Sequence, residues 1–259
     1  MNYPVITNII ESKIENKNVK TFKFFYPTEM IPGQFFMILI PGIDEIPMSA
    51  SYIDNNIKGI TFRRVGDATN ALFKLKKGDQ IGIRGPYGNG YKLFGKNILF
   101  VGGGTGCATL LPIVKEAKYN KINLKVIIGF RNKNEIFFEN EFKNQNVEVQ
   151  VTTDDGSKGY KGFASDLAKT MMKKNNFTSI ITCGPEIMMK SVFEEANTID
   201  FQASLERYMK CGIGLCGQCC VGKGIRICVE GPVLNSTTLK QVEDFGKFKK
   251  DASGKKIKI

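Results

Sequence analysis

Residues 97–119 read NILFVGGGTGCATLLPIVKEAKY, an apolar run that enters a glycine loop and continues as a helical pattern. This order is typical of open α/β sheets, where the loop and the start of the helix present backbone N–H groups to a phosphate. The spacing is not the strict G-x-G-x-x-G, because the third glycine position counted from Gly102 falls on Cys107. We interpret the stretch as a nucleotide-binding turn, with a tight structural turn as the alternative.

The flanking sequence extends this pattern on one side and changes it on the other. Downstream, the strand-like runs LKVIIGF, VEVQVTT and SIITCGP alternate with helical segments, which predicts a parallel-sheet nucleotide-binding domain over residues 95–203. Upstream, TFKFF, QFFMILI, GITFRRV and QIGIRG are short runs separated by turn residues, which predicts an antiparallel β-barrel over residues 1–94. The expected fold class is therefore β plus α/β.

Five of the seven cysteines lie in CGIGLCGQCCVGKGIRIC, within a compact module predicted over residues 204–235. Their spacing contains C-x4-C-x2-C with a further cysteine downstream, which is the plant-type [2Fe–2S] pattern. Glycines between the cysteines would let the backbone wrap closely around the sulfurs. The candidate ligands are Cys211, Cys216, Cys219 and Cys228.

Other uses of the cysteines remain open. A structural zinc site usually has two C-x2–4-C pairs, which this spacing does not supply well. A disulfide set is disfavoured because we expect a cytoplasmic protein, in which thiols stay reduced. Cys220 adjoins Cys219, and neighbouring side chains usually point apart, so we interpret Cys220 as a buried thiol that is not a ligand.

The composition excludes several classes of function. The chain has 259 residues, a net charge of +12 and no histidine, so Ser-His and Cys-His hydrolase triads are ruled out. No signal peptide and no apolar run of about 20 residues is seen, which predicts no membrane partner. The lysines are spread along the chain without a nucleic-acid motif, so no nucleic acid is expected. We interpret the Lys-rich residues 236–259 as a solvated terminus, with a docking element as the alternative.

The combined segments resemble the ferredoxin–NADP reductase superfamily, in which the barrel binds FAD and the α/β domain binds a nicotinamide nucleotide. With the cysteine module, the whole chain is similar to the electron-transfer subunits of NAD-dependent dihydroorotate dehydrogenases. The segments that carry the resemblance are IPMSASY, GDATNALFKLKKGDQIGIRGPYGNGY, FVGGGTG, TTDDGSKGYKG, ITCGP and SLERYMKCGIGLCGQC…ICVEGPV.

This resemblance implies an oxidoreductase subunit of pyrimidine (UMP) biosynthesis. A partner subunit carrying FMN would oxidise dihydroorotate, and electrons would pass through the [2Fe–2S] cluster and FAD of this chain to NAD+. The assembly implied is a heterotetramer with two copies of each chain, and no catalytic residue is expected here. The alternative is an iron–sulfur flavoprotein subunit of a ferredoxin:NAD(P)+ oxidoreductase or a sulfide dehydrogenase. In the first of these groups an Asp stands at the ligand position that Cys211 occupies here.

The resemblance also implies the contacts of the two nucleotides. The first flavin motif of the family is R-P-x-S, and Ile46 stands where the family has Arg, so Arg63 or Arg64 is the candidate for the missing phosphate contact. The loop at Arg131 is basic and leaves the choice between NAD and NADP open. A small buried residue is the alternative for Cys183, whose thiol we expect beside the nicotinamide. Expected FAD contacts are Pro47, Met48, Ser49, Arg63, Arg64, Val65, Gly66, Ala68 and Thr69, and expected NAD contacts are Gly102, Gly103, Gly104, Thr105, Gly106, Cys183, Gly184 and Pro185.

Overall fold

The computed structural model describes residues 3–259. Its first part is a closed antiparallel barrel with strand order β1-β2-β5-β4-β3-β6. Met1 and Asn2, which the predicted barrel segment includes, lie outside the described residues. Aromatic side chains fill the barrel, and the rings of Phe22 and Phe62 meet edge to face at 5.2 Å. The elements are β1 (Val5–Asn16), β2 (Val19–Phe25), β3 (Phe35–Ile40), β4 (Asp44–Asp54), β5 (Ile57–Arg63), α1 (Asp67–Lys74) and β6 (Gln80–Tyr87).

The second part is a seven-stranded sheet with order β10-β9-β8-β7-β11-β12-β15. Strand β7 is central and buried from residue 98 to 103, and it pairs in parallel with β8 and β11, as its continuous apolar run predicts. The elements are β7 (Asn97–Gly103), α2 (Gly106–Tyr119), β8 (Asn123–Phe130), a 3-10 turn (Lys133–Glu135), α3 (Glu139–Lys143), β9 (Glu148–Thr153), β10 (Tyr160–Lys161), α4 (Ala164–Lys174), β11 (Ser179–Cys183), α5 (Glu186–Ala196) and β12 (Asp200–Ser204).

These two parts confirm the expected β plus α/β fold class. Strands β10, β9, β8, β7, β11 and β12 are parallel to one another, so their carboxyl ends meet at one edge of the sheet. Within residues 3–259, no helix has both the length and the apolar character needed to cross a membrane.

The cysteine-rich segment is an excursion from the sheet. Residues 205–232 leave after β12 and contain a small hairpin, β13 (Cys220–Val221) and β14 (Ile225–Arg226). The chain then returns as β15 (Val233–Asn235), which pairs antiparallel with β12. The last strand of the predicted module is therefore also part of the sheet. It covers the edge of β12 that would otherwise be open.

The C-terminal tail (residues 236–259) is folded, so the prediction of a solvated terminus is wrong. After α6 (Ser236–Leu239), the side chains of Leu239, Val242 and Phe245 are each at most 4% exposed. These residues are spaced three apart, and this apolar face packs on the sheet domain while the intervening Lys240, Gln241 and Glu243 are exposed. The chain ends in a second hairpin, β16 (Phe248–Lys250) and β17 (Lys256–Lys258).

A buried ion pair joins three of these segments. Arg207, at the start of the excursion, contacts the carboxylate of Glu186 at the start of α5, and the two side chains are 2% and 8% exposed. The same carboxylate accepts a hydrogen bond from Gly246 N of the tail at 3.0 Å. Burial penalises the charged guanidinium and lowers the pKa of Arg207 to about 10. Arg207 therefore remains charged at neutral pH, and its contact with Glu186 ties the excursion to α5, as the bond from Gly246 N ties the tail.

We expect Arg207→Ala to lower the free energy of unfolding by about 3 to 5 kcal/mol, because it leaves the Glu186 carboxylate buried without its charged partner. Lys173→Ala, which breaks an exposed pair with Glu195 at 3.6 Å, is the control and should change it by less than about 1 kcal/mol. Urea unfolding of the purified protein measures both. Equal effects of the two substitutions would show that the buried pair has no special role.

Candidate functional site

A cavity of about 750 Å³ opens at the carboxyl edge of the parallel strands, and we call it the sheet-edge cavity. Its walls include Gly103, Gly104 and Thr105 from the glycine loop, and Gly184 and Pro185 from the loop after β11. Gly104 has φ of +53° and faces open space, so the loop can approach a ligand with bare backbone. Size and position fit a nucleotide at the carboxyl edge of an α/β sheet.

Three of the residues expected to contact NAD do not line this cavity: Gly102, Gly106 and Cys183. A Cβ on Gly102 would lie 2.9 Å from Cys107 Sγ, and one on Gly106 would lie 2.4 Å from the carbonyl of Cys183. Both glycines therefore serve close packing within the domain.

The expectation that the Cys183 thiol lines the nucleotide site is also wrong for this structure. The side chain is 2% exposed and lies behind the cavity wall, next to Tyr91, Thr109 and Ser204. Burial raises the pKa of Cys183 to about 12, and the nearby charge of Glu206 adds to this effect, so the thiol is protonated at neutral pH. The backbone of the following Gly184 forms the wall instead.

A second cavity of about 510 Å³ lies between the barrel and the sheet, and we call it the barrel cavity. It shares part of its lining with the sheet-edge cavity, so the two adjoin each other; the shared residues are Arg63, Thr105, Glu206 and Lys249. Residues 205–209 at the start of the excursion line it as well. Of the expected FAD contacts, those that line it are Pro47, Met48, Ser49, Arg63, Val65 and Thr69.

The loop before α1 is held by Thr69. Its hydroxyl oxygen accepts hydrogen bonds from Val65 N at 2.8 Å and Gly66 N at 3.0 Å, and the hydroxyl donates to Gly66 O. Gly66 and Ala68 do not line the barrel cavity, and the backbone of Gly66 faces open space. Thr69 thus shapes the loop as well as lining the cavity.

The two candidate arginines point in different directions. Arg63 lines both cavities, and its Nη2 lies 3.0 Å from the carboxylate of Glu135, which also pairs with Arg131 at 2.7 Å. Arg64 is turned away, with its guanidinium over the ring of Phe73 and its Nε donating to Asn18. Strand β5 ends at Arg63, and the side chain of the next residue, Arg64, points to the other side.

Glu135 holds the Arg63 guanidinium at the cavity wall. Burial alone would raise the pKa of this carboxyl, but the hydrogen bonds and charges of Arg131 and Arg63 outweigh it and lower the pKa. The carboxylate therefore stays ionised at neutral pH, and Arg63 is the better candidate for the phosphate contact that Ile46 cannot make.

Arg63→Gln should weaken FAD binding by about tenfold, since it removes one charge-assisted contact to the pyrophosphate. Arg64→Gln is the matched control and should leave the affinity unchanged. The dissociation constant is measured by the quenching of flavin fluorescence as apoprotein is added. Equal losses in the two variants, or none, would contradict the assignment of Arg63.

The candidate cluster ligands lie as two pairs. The sulfurs of Cys219 and Cys228 are 3.4 Å apart, and Cys216 N donates to the sulfur of Cys211 at 3.5 Å. Cys220 lies outside both pairs, 4.0 Å from the carbonyl of Gly224 in its own turn. It is half-buried, not buried as expected from the sequence.

Backbone geometry around the first pair favours thiolates. Gly212, Gly214 and Gly217 have φ of +72°, +83° and +66°, a region that side-chain-bearing residues rarely adopt. Burial would raise the pKa of Cys211, but backbone N–H groups, those of Cys216 and Ile213 first among them, lower it to about 6. The loop therefore stabilises negative charge on sulfur, as a thiolate-ligated cluster requires.

This donor set fits a [2Fe–2S] cluster, which takes four thiolates shared between two irons. Among the side chains of residues 3–259, no three that are Cys, Asp or Glu come close enough to surround a single ion. A structural zinc site needs four ligands around one centre. Four cysteines that lie as two pairs match the four thiolates of a [2Fe–2S] cluster.

Cys216→Ser should remove the cluster while FAD is retained, because the serine hydroxyl is a poor replacement for a thiolate ligand. Cys220→Ser, one residue from a ligand, is the control and should leave the cluster intact. Electron paramagnetic resonance of the reduced protein and its flavin absorbance measure the two cofactors separately. An unchanged cluster signal in Cys216→Ser would refute the ligand set.

Two protein-family models match the chain in the regions that the geometry singles out. Residues 206–240 match the iron–sulfur cluster binding domain of dihydroorotate dehydrogenase B. Residues 100–194 match the oxidoreductase NAD-binding domain.

Solved structures share the fold. An NADH-dependent reduced ferredoxin–NADP oxidoreductase, described in connection with flavin-based electron bifurcation, is 30% identical with a TM-score of 0.83, and the match covers 92% of this chain and 90% of that one. The FAD/NAD-binding domain of a nitric oxide dioxygenase from Vibrio cholerae is 18% identical with a TM-score of 0.67, over 76% of this chain and 97% of that one. The second likeness shows the fold alone.

Curated relatives confirm the resemblance found in the sequence. A Methanocaldococcus jannaschii protein named "Probable dihydroorotate dehydrogenase B (NAD(+)), electron transfer subunit" is 45% identical over 99% of both chains. A Methanocella arvoryzae protein of the same name is 44% identical, also over 99% of both. With identity of this degree along its full length, the chain belongs to the family of dihydroorotate dehydrogenase B (NAD(+)) electron transfer subunits.

Proposed function

We propose that this chain passes electrons from a catalytic dihydroorotate dehydrogenase subunit to NAD+, in pyrimidine biosynthesis. The observation that carries the proposal is that the three candidate sites adjoin one another. Residues 205–209 line the barrel cavity, and Cys211 follows two residues later. The barrel cavity in turn adjoins the sheet-edge cavity, so the three candidate sites form an unbroken series.

The residues of this chain hold the cofactors in that series. The cysteine pairs would hold the [2Fe–2S] cluster, the barrel cavity FAD, and the sheet-edge cavity NAD. When bound, the flavin supplies the conversion between two-electron and one-electron transfer, and the cluster supplies transfer of single electrons. The chain needs no general acid or base for this chemistry, which agrees with a sequence that contains no histidine.

Contacts from the barrel orient the cluster loop. Arg84 forms a two-pronged ion pair with Glu45, and its Nη2 also donates to the carbonyl of Cys211 at 3.3 Å. A Cβ on Gly212 would lie 2.9 Å from Met37 of β3, so the loop lies directly on the barrel. These contacts support a fixed separation between the candidate cluster and flavin sites.

The partner would dock at the outer side of the cluster loop. Cys216 is exposed, and the neighbouring Leu215 is 81% exposed although it is apolar. An exposed ligand beside an exposed apolar side chain suits close approach of another electron carrier. We propose that this partner carries FMN, that the assembly contains two copies of each chain, and that it is cytoplasmic, where free thiols stay reduced.

The alternative is a subunit of a ferredoxin:NAD(P)+ oxidoreductase, which the solved relative at 30% identity favours. The two functions differ in the electron donor and share the cofactors. Cys211 at the first ligand position favours the dihydroorotate assignment, as the sequence comparison above implies.

The test is anaerobic purification of the native complex, followed by an assay of NAD+ reduction with dihydroorotate as donor. We expect activity in the intact complex. A complex reconstituted with Cys216→Ser should lose this activity but keep NADH oxidation by an artificial acceptor. A flavin- and iron-containing complex that reduces NAD(P)+ with ferredoxin but not with dihydroorotate would overturn the assignment in favour of the alternative.

A further inference from the structure

The C-terminal hairpin (residues 248–258) has no place in the function described so far. It belongs neither to the barrel nor to the seven-stranded sheet, and its two short strands pair only with each other. Yet four of its residues line the barrel cavity, and one of these four also lines the sheet-edge cavity. Those positions are Lys249, Lys250, Asp251 and Ile257 for the barrel cavity, and Lys249 for the sheet-edge cavity.

One face of the hairpin is turned to the barrel cavity. Lys249 and Ile257 are cross-strand partners, so their side chains lie on the same face, and both line the cavity. Lys258 follows Ile257, points to the opposite face and does not line the cavity. Of the residues on that opposite face, only Lys250 beside the turn reaches the cavity. The inward face thus combines a cation with an apolar side chain that is 36% exposed.

The charge of the hairpin region suits an anionic ligand. Residues 247–259 contain six lysines and one aspartate. The Asp251 carboxylate is already used within the turn, where it accepts hydrogen bonds from Ser253 N at 2.9 Å and Lys255 N at 3.0 Å. The excess of positive charge therefore faces outward and toward the cavity, where it favours a dinucleotide pyrophosphate.

Few contacts hold the hairpin to the rest of the chain. Gln218, which stands between the ligands Cys216 and Cys219, donates to the carbonyl of Asp251 at 2.8 Å. Lys256 pairs with Asp244 at the base of the hairpin. Because a two-stranded hairpin is only marginally stable in water, its order depends on what it packs against.

We propose that the C-terminal hairpin is a wall of the FAD site, that Lys249 and Ile257 contact the bound flavin dinucleotide, and that Gln218 fastens this wall to the cluster loop. The inference rests on the proposed function, since it requires that FAD occupies the barrel cavity. It commits to FAD rather than NAD, because four hairpin residues line the barrel cavity, whereas only Lys249 and the adjoining Ile259 line the sheet-edge cavity. Bound FAD supplies the packing partner that the hairpin lacks.

The first measurement is hydrogen exchange of the full-length chain, with its cluster, in three states: without nucleotide, with FAD, and with NAD+. We expect the amides of residues 248–258 to become protected with FAD and to stay unprotected with NAD+ alone. Protection by NAD+ and not by FAD would overturn the proposal, and so would exchange that neither nucleotide alters.

The second measurement is the FAD dissociation constant of matched lysine variants, from flavin fluorescence. Lys249→Gln should raise it about fivefold, whereas Lys258→Gln, on the opposite face of the same hairpin, should leave it unchanged. Gln218→Ala should make bound flavin more accessible to iodide while the electron paramagnetic resonance signal of the cluster is retained. Equal dissociation constants for both lysine variants would overturn the inference.

Failure of this inference is distinguishable from failure of the proposed function. A wild-type chain that binds no FAD would overturn both. A wild-type chain that binds FAD tightly, with an unprotected hairpin, would overturn only the inference about the wall.

Discussion

Direct backbone contact between the loops that follow β7 and β11 is the constraint on which the sheet-edge cavity depends. A Cβ on Gly184 would lie 2.8 Å from backbone atoms of Gly103, and a Cβ on Gly106 would lie 2.4 Å from the carbonyl of Cys183. No side chain fits between the two loops, so glycine is required on both sides of the contact. The close approach brings the two loops to one edge of the sheet with bare backbone exposed, and there they form the wall of the sheet-edge cavity.

The cysteine module takes its position from the same sheet. It leaves the sheet at the end of β12 and returns as β15, which pairs with β12, so both of its ends are attached to one strand. The buried pair of Arg207 and Glu186 adds an attachment to α5, which begins directly after the loop of Gly184 and Pro185. The candidate cluster site and the candidate nucleotide site are thus connected through short, buried contacts. Such an arrangement keeps redox groups at set distances, which electron transfer between them requires.

The sequence predicted most of the elements and supplied the candidate cluster ligands because both depend on local order. Strand, glycine loop and helix follow each other in the chain, and the spacing of the cysteines is that of the ligands in a known cluster type. The assignments of Cys183 and of the tail failed for a common reason. Whether a thiol faces a cavity or the interior, and whether Leu239, Val242 and Phe245 find a surface to cover, depends on elements distant in the chain. The many lysines of the tail make its three apolar residues hard to recognise as a buried face, because they are buried only by packing near α5.

By itself, therefore, the sequence determined the fold class, the order of the domains, the family and the identity of the candidate ligands. Each of these depends on residue spacing or periodicity within fewer than about 20 residues, or on the order of such stretches along the chain. Only the tertiary structure decided that Arg63 rather than Arg64 faces the cavities and that the C-terminal hairpin lines the barrel cavity. These facts follow from contacts between residues more than 60 positions apart in the case of Arg63 and Glu135, and further for the hairpin. Spacing along the chain carries no information about such contacts, because they are set by how the barrel, the sheet and the tail pack together.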